Sequence, residues 1–228
     1  MRRVAVYAGT RTLYPHMAAA AKSLLAHTRM DRVWFLTEDD VFPGELPEVI
    51  RCRNVAGQPW FDPDGPNFTS RWTYMALMKL RLDELFPEED RILWLDTDTV
   101  VEEDISPLLE IAFEGNLMAA VEEPQRSRHP FVYWNAGVLM IDLRRMWISG
   151  KGREMTDLVN TRKLDYPDQD AISLLCQARI RTVRPDWNAC RWTMRVPAPC
   201  IRHFAADREY WTRPAFRQYA DMEWRVKE

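Results

Sequence analysis

Asp96-Thr97-Asp98 closes the apolar run Ile92-Leu93-Trp94-Leu95, and this pair of carboxylates is where the chain first offers chemistry. In an extended segment successive side chains point to opposite faces, which puts Asp96 and Asp98 on one face and Thr97 on the other. Two carboxylates side by side at the end of a buried strand repel each other, and a divalent cation between them relieves that repulsion. A polar turn that merely ends a strand has the same composition, because Asp is frequent at such ends. The triplet alone leaves both readings open.

The elements around it are those of an α/β chain. Residues 92–95 predict a short buried strand. Alternation of Val4, Val6 and Ala8 predicts a first strand over 2–8, followed by a turn at Gly9-Thr10 and a helix over 14–27, an opening βα unit. A second strand is expected over 32–37, ahead of the acidic turn Glu38-Asp39-Asp40. The stretch 43–66 contains Pro43, Pro47, Pro59, Pro63 and Pro66 with Gly44, Gly57 and Gly65, and predicts irregular chain with one strand near 49–55. Thr69 or Ser70 is placed to cap a helix over 71–86, in which Met75, Met78, Leu82 and Leu85 recur at helical spacing and read as core. Further strands are expected over 117–121, over 134–143 with the small tripeptide Asn135-Ala136-Gly137 ahead of its apolar part, over 180–183 and over 200–204. A helix is expected over 168–178. No repeat, linker or composition break divides residues 1–228, so one mixed α/β domain is the expectation.

Composition narrows the class. With 228 residues, 46% of them hydrophobic, the chain can bury a substantial core. No apolar run approaches the roughly 18 residues of a membrane helix, and the apolar stretch after Arg2-Arg3 is too short for a signal peptide, so a cytoplasmic protein is expected. Cys52, Cys176, Cys190 and Cys200 show neither zinc-site nor disulfide-framework spacing. Glycine-rich dinucleotide and phosphate-loop signatures are absent. Residues 1–124 carry 12 basic against 22 acidic residues, while the remainder carries 19 against 12. An acidic half holding a metal and a basic half facing a phosphorylated ligand would produce this asymmetry, and so would an ordinary solvated surface.

Four segments in order, ILWLDTDTVVEEDISPL (92–108), WNAGVLMIDL (134–143), YPDQDAISLL (166–175) and IRHFAADREYW (201–211), make the chain resemble glycosyltransferase family 8. This is the group of retaining enzymes that includes glycogenin and bacterial lipooligosaccharide galactosyltransferases. AGTRTLY (8–14), MKLRLDELFP (78–87) and AAVEEP (119–124) match more weakly. The resemblance implies a GT-A fold, with a Rossmann-like mixed, mostly parallel sheet flanked by helices. It also implies retaining transfer of a hexose from a nucleotide sugar, a UDP-hexose, to an acceptor hydroxyl. Asp96, Asp98 and His203 would be ligands of Mn2+ or Mg2+, a donor set suited to those ions. Asp168 and Gln169 would stand next to the anomeric carbon. Asn135, Ala136 and Gly137 would line the donor sugar and diphosphate, with the glycine and alanine letting the backbone approach closely. Lys79 and Thr97 would contact the donor, Glu122 the sugar hydroxyls, and Thr10 and Tyr14 the nucleotide base. Outside the family, Asp168 reads as a helix cap and Lys79 as a solvated charge.

The chain departs from the family's His-Phe-x-Gly-x-x-Lys-Pro-Trp ending. Ala206 stands for the glycine and Glu209 for the diphosphate-binding lysine, and Arg208 is the nearest cation that could compensate. Two rivals share the scaffold: a nucleotidyltransferase, for which Gly9-Thr10-Arg11-Thr12 is a poor phosphate loop, and a non-catalytic nucleotide-sugar-binding protein. The acceptor is open. Arg179, Arg181, Arg184, Arg191, Arg195, Arg202, Arg208, Arg213 and Arg217 are interleaved with Trp187, Trp192, Tyr210, Trp211, Phe216 and Trp224. If these converge on the donor site, the acceptor is anionic (a nucleotide, nucleic acid or phosphorylated glycan). If not, the aromatics are core and the arginines a solvated face.

Overall fold

Strands β1 (Val4–Ala8) and β2 (Arg32–Thr37) run parallel, from Val4 opposite Arg32 to Ala8 opposite Leu36. Parallel neighbours need a crossover, and helix α1 (Tyr14–His27) supplies it, with Pro15 in its first turn, where a missing N–H costs nothing. The structure is a computed structural model that describes residues 1–69, 72–124 and 131–227. Ser70 and Arg71, expected at the start of a helix, lie outside those residues.

After β3 (Ile50–Asn54) the chain forms α2 (Thr73–Leu77), a 3-10 turn over Met78–Arg81 and α3 (Leu82–Leu85), then β4 (Arg91–Leu95), β5 (Thr99–Val101) and α4 (Ser106–Leu109). Strands β6 (Met118–Glu122) and β7 (Trp134–Asp142) lead into α5 (Leu143–Ser149), α6 (Lys151–Thr161) and α7 (Pro167–Leu175). Strands β8 (Ile180–Thr182) and β9 (Ile201–His203) and helix α8 (Pro214–Ala220) complete the order.

Seven strands form one sheet in the order β3-β2-β1-β4-β7-β6-β8. Strand β7 is antiparallel to both neighbours, β4 and β6, and the other pairings are parallel. The expected mixed, mostly parallel α/β architecture is the one observed. Alternation along the central strands divides the core in two. Val4, Val6, Ile92 and Trp94 pack on one face with residues of α2, α5, α6 and α7, while Ala5, Tyr7, Leu93 and Leu95 pack on the other with α1. Both faces are covered, which is why these strands read as continuous apolar runs. A second sheet pairs β5 with β9, antiparallel, with Thr99 opposite His203. No described helix is long and apolar enough to cross a membrane.

Two expectations fail locally. The helix expected over 71–86 is broken by the 3-10 turn, where Met78, Lys79, Leu80 and Arg81 are all buried. A segment buried on every side has no solvated stripe, so the amphipathic period that suggested one long helix does not govern it. Helices α5, α6 and α8 were not foreseen, and the helix expected to reach residue 178 stops at Leu175.

Gly152, near the start of α6, lets that helix press against the same 3-10 turn. A Cβ there would lie 2.8 Å from the Leu80 carbonyl oxygen and 3.1 Å from Asp83 Oδ1. Alanine would gain up to about 1 kcal/mol of helix propensity, but overpacking against fixed backbone costs roughly 1–3 kcal/mol. We therefore expect Gly152→Ala to be destabilised by about 1 kcal/mol in urea titration. A variant as stable as the parent would show that the turn yields freely.

Candidate active site

The C-terminal end of β4 meets the N-terminal end of antiparallel β7, with Leu95 opposite Val138, and the two ends open a cavity of about 330 Å³. Ligand sites of open α/β sheets form at the carboxyl ends of strands. It is lined by Asp96, Thr97 and Asp98, by Asn135, Ala136 and Gly137, by Asp168 and Gln169, and by His203, Ala205, Ala206 and Tyr210.

The acidic triplet is a turn rather than the extended segment expected. The Asp96 carbonyl accepts from the Thr99 N–H (3.2 Å) and the Thr99 hydroxyl (2.7 Å). Strand alternation therefore does not unite the two carboxylates; the turn and the β5–β9 pairing do. Ligand atoms of Asp96, Asp98 and His203 all lie within 4.8 Å of one another. His203 Nε2 stands 3.2 Å from Asp98 Oδ1 and 4.0 Å from Asp96 Oδ2. Two carboxylates and one imidazole form a donor set suited to manganese or magnesium. Gly137 makes room for the imidazole, since a Cβ there would sit 2.1 Å from His203 Cε1. The space that a donor's close approach was expected to require is filled by the histidine ring.

Lys79 is not a solvated charge, and it sits behind the cavity wall rather than in the lining. It is 1% exposed, and its Nζ donates to Asp168 Oδ2 (2.5 Å), the Ala136 carbonyl (3.0 Å) and Asp96 Oδ1 (3.1 Å), with the Trp94 ring 5.0 Å away. Burial disfavours the ammonium, but Asp168 and then Asp96 outweigh it and raise its pKa above the ordinary lysine value. Asp168 sits in the first turn of α7, yet no side chain caps that helix; its carboxylate goes to Lys79 instead. Gln169 Oε1 accepts from the Ala136 N–H (3.1 Å), and its buried Nε2 has no hydrogen-bond partner among the described residues. That leaves a buried, unpaired amide donor beside the cavity.

Four further expected positions are not in the lining. Thr10 is half-buried, its hydroxyl 3.2 Å from that of Thr12. Tyr14 is buried, and its hydroxyl is taken by Asp39 Oδ2 and the Glu38 N–H, each at 2.9 Å. Glu123, not Glu122, lines the cavity, beside an irregularity in the β6–β7 pairing between Ala120 and Glu122. Glu123 is 1% exposed. Arg208 is exposed and away from the lining, and among the described residues no lysine or arginine lines the cavity. Ala206, where the family pattern has glycine, holds φ +63°, the left-handed region that glycine enters without strain.

The arginine-rich end does not converge on the cavity either. Arg181 pairs with Glu114 (2.9 Å), Arg202 with Glu102 (2.7 Å), Arg213 with Asp207 (2.6 Å) and Arg184 with Asp186. Trp187 and Phe216 are core, and of the aromatics interleaved with the arginines only Trp192 and Tyr210 line the cavity. The arrangement on which an anionic acceptor depended is absent among the described residues. Sequence reading missed Trp72 in the lining, Glu123, and buried Asn188, for which no motif gave a signal.

Burial opposes charge on both His203 and Asp98, but their attraction wins: the imidazole pKa is raised and the carboxyl pKa lowered. In the cation-free protein the imidazolium's contribution to stability disappears as pH rises through the raised imidazole value. The carboxylate's contribution disappears as pH falls through the lowered carboxyl value. A cation must displace the Nε2 proton, so manganese affinity should climb by up to about tenfold per pH unit below the raised imidazole value. Calorimetric titrations between about pH 6 and about pH 8.5 check this. Affinity flat across that window would mean that His203 carries no proton there.

A model of the family described as glycosyl transferase family 8 matches residues 6–195. The glycosyltransferase GlyE of Streptococcus pneumoniae serotype 4 is 22% identical over 259 residues, covering 99% of this chain and 62% of GlyE. The lipopolysaccharide 1,2-glucosyltransferase of Escherichia coli is 29% identical over 133 residues, 52% of this chain and 38% of that protein. The chain thus spans less than two thirds of the length of either relative. The crystal structure of GlyE superposes with a TM-score of 0.76 at 18% identity, covering 98% of this chain and 61% of that one. The galactosyltransferase LgtC, solved with donor and acceptor sugar analogs, superposes with a TM-score of 0.72 at 21% identity, covering 99% and 98%. At such identities these superpositions speak to the fold, which is GT-A. The family match carries more, because it runs from β1 through most of the residues that line the cavity: the chain belongs to glycosyl transferase family 8.

Proposed function

We propose that the protein is a retaining, metal-dependent glycosyltransferase that moves a hexosyl group from a UDP-sugar to an acceptor hydroxyl. The observation that carries this reading is the convergence of Asp96, Asp98 and His203 within 4.8 Å in a cavity that Asp168 and Gln169 also line. A divalent cation held by the three ligands would neutralise the departing diphosphate. Gln169 lines the cavity, and a turn of its side chain would bring the buried, unpaired Nε2 to the sugar or the diphosphate. Asp168, held at Oδ2 by Lys79, keeps a carboxylate beside the carbon that becomes oxocarbenium-like. Lys79 also keeps Asp96 oriented from behind, so one ammonium positions both acids.

Among the described residues no basic side chain lines the cavity, so in this reading the cation is the main counter-charge to a diphosphate there. UDP binding should accordingly depend on the metal almost completely. Trp72, Tyr166 and Trp192 also line the cavity and offer aromatic surface to an acceptor. Aromatic faces stack on sugar rings, so a glycan fits this surface better than an anionic polymer.

The test is release of UDP from UDP-glucose and UDP-galactose with manganese, together with calorimetry of UDP binding. Asp98→Ala or a chelator should weaken UDP binding by at least about 3 kcal/mol, as expected for loss of an ion and its charge-assisted contacts, while the fold is retained. UDP affinity unchanged in Asp98→Ala, or turnover of no nucleotide sugar, would overturn the reading.

A further inference from the structure

Behind the cation ligands runs a buried chain of amides ending on an acid. Glu123 Oε1 accepts from Asn135 Nδ2 (2.5 Å), Asn135 Oδ1 is 2.7 Å from Asn188 Nδ2, and Asn188 Oδ1 is 2.9 Å from His203 Nδ1. All four side chains are at most 5% exposed. Asn188 belongs to none of the family motifs. It closes the 3-10 turn Pro185–Asn188, and the backbone of Ala189 next to it bonds β9: its N–H donates to the Ile201 carbonyl (2.9 Å) and its carbonyl accepts from the His203 N–H (3.0 Å). This pairing holds Asn188 across from the imidazole.

The direction of each bond is set by groups that cannot reverse. A carboxylate only accepts, so Asn135 turns its NH₂ to Glu123. A backbone N–H only donates, and the Gly137 N–H points at Asn135 Oδ1 (2.9 Å), which fixes the same orientation independently. Asn135 Oδ1 must then accept from Asn188 Nδ2, and Asn188 has only its carbonyl oxygen left for the histidine. An oxygen without a hydrogen requires that His203 Nδ1 carry one. The remaining nitrogen, Nε2, is the one facing Asp98 and Asp96.

We infer that Asn188 is a positioning residue: through the Glu123–Asn135–Asn188 chain it keeps the His203 proton on Nδ1 and the ring locked, so that Nε2 presents its lone pair to the cation. This rests on the metal site of the proposed function, but it assigns work to Asn188, which is not among the residues that line the cavity. Asn135 likewise spends its amide inside the protein, as a link in this chain as well as part of the cavity lining.

Two measurements test it. In cation-free protein at a pH where the imidazole is neutral, 15N-edited spectra should show the proton on Nδ1 and a bare Nε2. The opposite tautomer overturns the inference whether or not the protein transfers sugar, so its failure is distinguishable from failure of the enzymatic reading. Manganese affinity, measured without donor, should fall about 10–100-fold in Asn188→Ala. Equal affinity in parent and Asn188→Ala overturns it. If Asn188→Ala does not fold, the parent spectrum still separates the two outcomes.

Discussion

One buried ammonium joins the parts of this site. Lys79 reaches the turn after β4 at Asp96, β7 at the Ala136 carbonyl and the first turn of α7 at Asp168. Those partners lie 17, 57 and 89 residues away along the chain. A lysine stripped of water is costly unless its protons are matched, and here three oxygens match them. Removing it would leave two acids facing each other across a desolvated cavity, a loss of order 3–5 kcal/mol. The broken helix over residues 73–85 follows from this requirement, because a 3-10 turn buries Lys79 and its neighbours together, and Gly152 lets α6 close over them.

The cation pocket depends on a different contact. His203 arrives from β9 in a two-stranded sheet separate from the main one, and its pairing with Thr99 sets it beside Asp98. The ring then occupies the volume that a side chain at residue 137 would take, so β7 and the ligand are mutually exclusive unless that residue is glycine. A site assembled at a seam between two sheets needs its ligands fixed from behind, since neither sheet alone positions all three. The amide chain from Glu123 to His203 provides such support, and it crosses that seam.

The cavity's charge is unusual for one that would hold a diphosphate. Among the described residues its lining contains Asp96, Asp98, Asp168 and Glu123 and no lysine or arginine. The surface arginines near the C-terminal end are spent on neighbouring acids, where exposed pairs contribute little to stability. In the proposed reading the donor leans on the cation and on the backbone around the left-handed Ala206.

Local pattern sufficed for much of this. The helix at Tyr14–His27 and the strand at Arg32–Thr37 were legible to the residue, because each is a short element whose periodicity is set by burial against one large core. The acidic triplet, Asn135-Ala136-Gly137, Asp168-Gln169 and His203 were legible as chemistry through their motifs, and they meet in one cavity. Residue types and their order in the chain can determine that much. What they could not determine is whatever depends on partners far away in sequence. Glu123 rather than Glu122 lines the cavity, Lys79 faces inward because two acids await it, and Arg181, Arg184, Arg202 and Arg213 pair with acids away from the lining. Asn188 carries no local signal at all. Its place follows from the backbone pairing between Ala189 and β9 and from an amide chain that closes only when residues 123, 135, 188 and 203 are brought together. Hydrogen-bond direction is a property of the assembled network, so only the tertiary structure decides which imidazole nitrogen faces the acids.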